Sequence, residues 1–174
     1  MSEGDRLAAL ERRIDELESR EAIACLITAY TEAVRTRAHP SVLDLMTDDC
    51  VIELHHADPD DPGVTQLLQR YAGREEIRGS FKAQAGEAAR VWPMIHNLKI
   101  EVEGDAARSA CVTVMAIWPV GKEYVGEYRD TFRRVDGAWR FASRIYVGFG
   151  DTSGQFSREA HRAYQAAKDE PAIS

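Results

Sequence analysis

The chain has 174 residues, 44% of them hydrophobic and 29% charged, with a formal net charge of -7. That length supports one domain with a real core and is short for two. The acidic balance excludes a general nucleic-acid binder, which needs a clustered basic surface, and the apolar runs are too short to span a bilayer. The opening MSEGDRLAALERR lacks the apolar stretch of a secretory signal, so the expectation is a soluble cytoplasmic protein. Cys25, Cys50 and Cys111 are isolated, without CxxC spacing, and read as buried thiols. Cys111, among Val112, Val114 and Met115, reads as a small apolar filler.

Residues 5–35 carry a helical pattern. Leu7, Leu10, Ile14 and Leu17 repeat at three and four, and Ile23, Leu26, Ile27, Tyr30 and Val34 continue on a shifted face. The shift near Ser19 predicts two segments. The first, residues 1–19, is an arm that packs on a neighbouring subunit, since two heptads are few for an independent coiled coil. The second opens a domain spanning 20–150. Pro40 is placed to start a short helix over 41–46, and residues 50–55 alternate as a strand. The following ADPDDPG is an acidic, proline-broken loop. A metal site built from His55, His56, Asp58, Asp60 and Asp61 matches no recognised oxygen-ligand spacing, so no metal is expected.

Residues 73–85 read as a helix with Glu75 and Glu76 in its first turn and Ile77 and Phe81 as its buried stripe. Four strands then fill 91–146, broken at Gly104-Asp105, Pro119/Gly121 and Asp136-Gly137. Helices before an antiparallel sheet argue an α+β domain without a parallel crossover. Residues 151–174 form a polar tail capable of a helix, with His161 and Tyr164 on its surface.

Period-2 counting gives the strands their faces. His96 falls with Met94, Leu98, Ile100 and Val102, and Asp130 with Gly126, Tyr128 and Phe132, so both are expected to point inward. An inward imidazole is either a general acid or base or a satisfied core histidine. A buried carboxylate must be paired, hydrogen-bonded or protonated. Trp92, Trp118, Tyr128 and Tyr146 would line a cavity suited to a flat apolar ligand, whereas Trp139 reads as core. One of His55 and His56 points inward, and Arg35 either binds an anion at the pocket mouth or is a solvated helix-end arginine.

The phrases LESREAIACLITAYTEAV, VLDLMTDDCVIEL, YAGREEIRGSF, HNLKIEVEGDAARS and YRDTFRRVDGAWRFASR resemble the SnoaL-like proteins of the nuclear transport factor 2-like fold, over about residues 13–147. The resemblance implies a cone-shaped curved antiparallel sheet around a pocket, closed by the amino-terminal helices, with homodimers or homotrimers joined through the outer sheet face. Ketosteroid isomerases, distant relatives on this fold, hold an enolate oxygen with a helix tyrosine and a protonated strand aspartate, and Tyr30 and Asp130 fall at those two positions. Other acid-base positions depart from the family. Arg35 stands for the dehydratases' helix-end aspartate, Pro93 for their histidine, and Leu54 for the isomerases' proton-shuttling carboxylate.

Three readings follow. The first is a cofactor-independent lyase or isomerase of the dehydratase or cyclase type, acting on a small hydrophobic cyclic compound. His96 would move the proton while Tyr30 and Asp130 stabilise oxygen charge, with Arg35, Trp92, Trp118, Tyr128, Tyr146 and His55 binding substrate. The second is a non-catalytic small-molecule-binding or accessory protein, which Arg35, Leu54 and Pro93 support. The third is an interaction scaffold with a filled pocket. None calls for a nucleic-acid or membrane partner.

Overall fold

The computed structural model describes residues 2–58, 61, 63–84, 90–119 and 121–151. The expected tail helix, with His161 and Tyr164, and the loop residue Asp60 lie outside the described residues. The elements run α1 (Glu3–Thr36), α2 (His39–Asp44), β1 (Met46–Ala57), β2 (Thr65–Ala72), α3 (Gly73–Gln84), β3 (Arg90–Glu103), β4 (Ala106–Trp118), β5 (Lys122–Val135) and β6 (Ala138–Asp151).

Helix α1 begins with a capping box. The Asp5 amide donates to the Ser2 hydroxyl at 3.1 Å, and the Ser2 amide donates to the Asp5 carboxylate at 2.8 Å. It ends at Arg37, whose left-handed φ of 59° lets its amide reach the carbonyls of Ala33 and Val34. The expected division near Ser19 is corrected: nothing between Ser19 and Glu21 breaks a helix, and α1 is continuous over 34 residues. The shift of face marks where the helix meets the body, since Ser19, Ile23, Ile27, Tyr30 and Ala33 are its buried residues. Proline does open α2, near its first turn.

The six strands form one sheet in the order β2-β1-β6-β5-β4-β3. Every pair is antiparallel except β1 with β6, so the expected α+β fold with a mainly antiparallel sheet is found, with this one parallel pairing added. Strand β2 has no counterpart in the sequence reading. Its Gln66, Leu67, Leu68, Gln69 and Arg70 are all exposed, so this edge strand has no apolar alternation to betray it. The core lies between the helices and the sheet, with Ile23, Ile27, Val42, Met46, Ile77, Phe132 and Phe141 buried. Trp139 belongs to it, as expected.

Two bulges set which side chains face that core. On β3, His96 pairs with Val112 but Lys99 pairs with Ala110, so β3 carries one extra residue there, and Asn97 takes φ 53°. Before the bulge Ile95 packs toward the core; after it Ile100 and Val102 do. On β6, Phe141 pairs with Phe132 but Ser143 pairs with Thr131. The extra residue, Ala142, brings Arg144 and Tyr146 onto the same inner face as Phe141. The β5–β6 connection is the two-residue Asp136-Gly137 turn, with φ 51° and 77°, as a tight hairpin requires.

Candidate functional site

A cavity of about 220 Å³ lies beneath α1, walled by Val34, Ile52, Leu54, Phe81, Pro93 and Met115 and carrying polar groups from Tyr30, Tyr128, Tyr146 and Arg144. It is smaller than the roughly 300–1,000 Å³ of drug-sized pockets, which limits an occupant to one or two rings. The strand register builds its polar side. Ser109, Asp130 and Arg144 are direct neighbours across β4, β5 and β6, and Cys111, Tyr128 and Tyr146 form the adjacent row. Gly126 makes room for the Tyr146 ring, since a Cβ there would meet that ring at 2.5 Å.

Arg144 is the centre of the site and is fully buried. Its Nε donates to Asp130 Oδ1 at 2.9 Å and its Nη2 to Oδ2 at 2.7 Å, a bidentate pair with both side chains out of solvent. Its guanidinium carbon sits 3.9 Å from the Tyr30 ring centre, 4.1 Å from that of Tyr128 and 4.5 Å from that of Phe141. Burial disfavours its charge, but the Asp130 carboxylate more than offsets this, and the net shift is upward. Because Asp130 occupies the Nε–Nη2 edge, Nη1 lies on the other edge of the fork, and it is buried without a hydrogen-bond partner among the described residues. Arg144 borders the cavity and Asp130 does not.

The phenols around Arg144 hold their protons. Burial pushes Tyr30 up, against the partial opposing pull of the Arg144 charge, and burial likewise raises Tyr128. Burial, with Tyr124 adding to it, pushes Tyr146 up to about 12. At neutral pH, then, arginine and these phenols offer donors to an occupant, and no described lining residue is a histidine or carboxylate able to take a proton.

The expected site residues divide accordingly. Tyr30, Tyr128 and Tyr146 line the cavity. Asp130 is inward and buried, but both its oxygens accept from Arg144, and it stands behind that residue rather than on the cavity wall. The inward orientation of His96 is corrected: the β3 bulge reverses the parity counted from Ile100 and Val102, and His96 is exposed on the outer face beside Val112. Trp92 and Trp118 are likewise exposed and away from the cavity. His55 shares the side of Glu53, whose carboxylate it meets at 2.9 Å, and does not line the cavity. Arg35 is exposed, paired with Glu32 at 2.6 Å, with its guanidinium 5.8 Å from the Trp92 ring centre. Cys25 is exposed rather than buried, while burial raises the Cys50 thiol to about 12 and also raises Cys111.

A family model described as a SnoaL-like domain matches residues 15–145. The chain belongs to the SnoaL-like family. The solved structures similar to this SnoaL-like chain include several from Novosphingobium aromaticivorans. The β subunit of a protein provisionally assigned as an aromatic-ring-hydroxylating dioxygenase is 19% identical, with a TM-score of 0.66 over 77% of this chain and 91% of that one. A protein provisionally named a scytalone dehydratase is 20% identical, with a TM-score of 0.63 over 79% and 88%. An NTF2-like protein with a cystatin-like fold is 22% identical, with a TM-score of 0.61 over 93% and 97%. At these identities the likeness fixes the NTF2-like fold and carries no activity. No curated protein sequence matches the chain.

Within the SnoaL-like frame, the departures at the acid-base positions acquire places. Leu54 and Pro93, expected from the resemblance to stand at acid-base positions, both contribute hydrocarbon to the cavity wall. Arg144, the charged residue among the described lining, was missed by the sequence reading. A signal existed: a two-residue turn at 136–137 puts Asp130 opposite residue 143, and a single bulge moves the partner to 144.

Proposed function

We propose that this SnoaL-like protein binds a small, flat, neutral ring compound whose carbonyl or hydroxyl oxygen accepts a hydrogen bond from Arg144 Nη1. The observation that carries this reading is Arg144 itself, which borders a cavity walled mainly by hydrocarbon and keeps one buried guanidinium nitrogen, Nη1, without a partner among the described residues. Charge chooses the ligand class. Arg144 and Asp130 cancel, so a carboxylate ligand would leave a net negative charge in an apolar site without a second cation in its described lining. A neutral oxygen satisfies Nη1 without that cost.

The non-catalytic reading is preferred over the lyase or isomerase because the described lining contains donors and no proton acceptor active near neutrality. One feature favours the enzyme as a second reading: Arg144 and Tyr30 together could stabilise negative charge developing on a substrate oxygen. A bicyclic ketone, 1-tetralone, and an acid of similar shape, 1-naphthoate, separate the alternatives. Titration calorimetry is expected to show binding of the ketone at least tenfold tighter than of the acid, and a similar loss of ketone binding in Arg144→Met. Equal or tighter binding of the acid would overturn the neutral-ligand assignment. Proton–deuterium exchange at the ketone's α-carbon, followed by NMR in D₂O, decides catalysis. Exchange accelerated by the protein would reject the binding-only reading.

A further inference from the structure

The amino-terminal half of α1 carries an apolar row that packs on nothing. Leu7, Leu10, Ile14 and Leu17 are between 54% and 58% exposed, although they sit in a well-capped, continuous helix. Their spacing of three, four and three places Leu7 and Ile14 at heptad position a and Leu10 and Leu17 at position d. The opposite side of the helix is the one that meets the body. Arg134, on β5, donates from Nη1 to Asp15 at 3.0 Å and from Nη2 to Ser19 at 2.8 Å, and this clamp turns the apolar row to solvent.

The flanks of the row specify what covers it. Arg6 and Arg13 occupy position g, while Glu11 and Glu18 occupy position e. None of these four makes an ion pair among the described residues, unlike neighbouring Arg20, which pairs with Glu16 at 2.7 Å. In a parallel pair each g residue meets the e residue of the next heptad on the other helix. Arg6 would then face the partner's Glu11, and Arg13 the partner's Glu18. In an antiparallel pair g meets g and e meets e, which sets arginine against arginine and glutamate against glutamate.

We infer that the row is a self-association seam: two copies of this chain pair their α1 amino-terminal halves as a short, parallel, in-register coiled coil. Leucine at d with isoleucine at one of the two a positions suits two strands. Two heptads alone would be marginal because an isolated helix must first nucleate. Here the helix is already formed, capped at Ser2 and anchored to β5, so pairing requires only docking. The inference is independent of the cavity and of what it binds.

The test uses the full chain with Leu10→Cys in a Cys25→Ser background, because Cys25 is the exposed native thiol. Parallel pairing sets the two position-10 residues opposite each other, so mild oxidation is expected to convert most of the protein to a covalent dimer. An antiparallel seam would instead join a Leu10→Cys chain to an Ile14→Cys chain in a mixture. Charge supplies a second readout. Glu11→Arg with Glu18→Arg is expected to lower cross-linking at least tenfold, as is Arg6→Glu with Arg13→Glu, and mixing the two variants should restore it. Failure of Leu10→Cys to cross-link, equal cross-linking in the charge variants, or preferential 10-to-14 joining would each overturn the inference. A seam covered by the chain's own residues 152–174 would give the first of these results.

Discussion

Arg144 and Asp130 make the sharpest residue-level prediction, because a buried ion pair behaves differently when broken and when replaced. Removing either partner leaves a charge with no solvent, which typically costs about 3–5 kcal/mol. Asp130→Asn and Arg144→Met are each expected to lower stability by that order in urea unfolding. The double variant Asp130→Leu with Arg144→Met removes both charges and should recover most of the loss while remaining unable to bind the ketone. A double variant as unstable as either single one would show that the pair contributes more than charge balance, through the stacking of Tyr30 and Tyr128 on the guanidinium. The sequence made Asp130 legible, since its strand parity is regular and a buried carboxylate demands a partner. It concealed the partner, because Arg144 changes face through the extra residue Ala142.

At the level of elements, the bulges decide what strand counting can and cannot deliver. The number and order of the four late strands, the Asp136-Gly137 hairpin, helix α3 and the buried second half of α1 were all legible, because each rests on local periodicity or turn chemistry. His96 was placed wrongly because one inserted residue reverses every side chain beyond it, and no local pattern announces the insertion. Edge strand β2 was invisible for a related reason: it buries too little to alternate. Asn97 is the residue that lets the β3 bulge form, with its φ of 53°. Asparagine and glycine accept that conformation, whereas a β-branched side chain is strained there by about 1–2 kcal/mol. Asn97→Gly is therefore expected to unfold close to the parent in a thermal melt and Asn97→Val distinctly earlier. Equal melting of the two would mean that the turn of chain at Asn97 is not what fixes the face of His96.

For the whole molecule, the roof that α1 places over the sheet sets how stability responds to alkali. Tyr30, Tyr128 and Tyr146 come from three different elements, and burial under α1 raises all three phenols, Tyr146 to about 12. An unfolded chain releases a tyrosine proton near pH 10, whereas the folded chain still holds it. The contribution of each phenol is therefore complete below pH 10 and is lost as pH rises, through about 12 for Tyr146, because the unfolded state alone gains by ionising. Melting temperatures measured from pH 9 to 12 should decline from about pH 10, together with a delayed rise in tyrosinate absorbance that accompanies unfolding. Tyr146→Phe removes one titrating group and should flatten that decline without altering the melt at pH 8 by a comparable amount. Ketone binding should draw on the same equilibrium. A ligand that needs the closed cavity and its protonated donors would shift the alkaline decline to higher pH in proportion to its affinity. A decline that is steep but unchanged by both Tyr146→Phe and the ligand would separate alkaline unfolding from the cavity altogether.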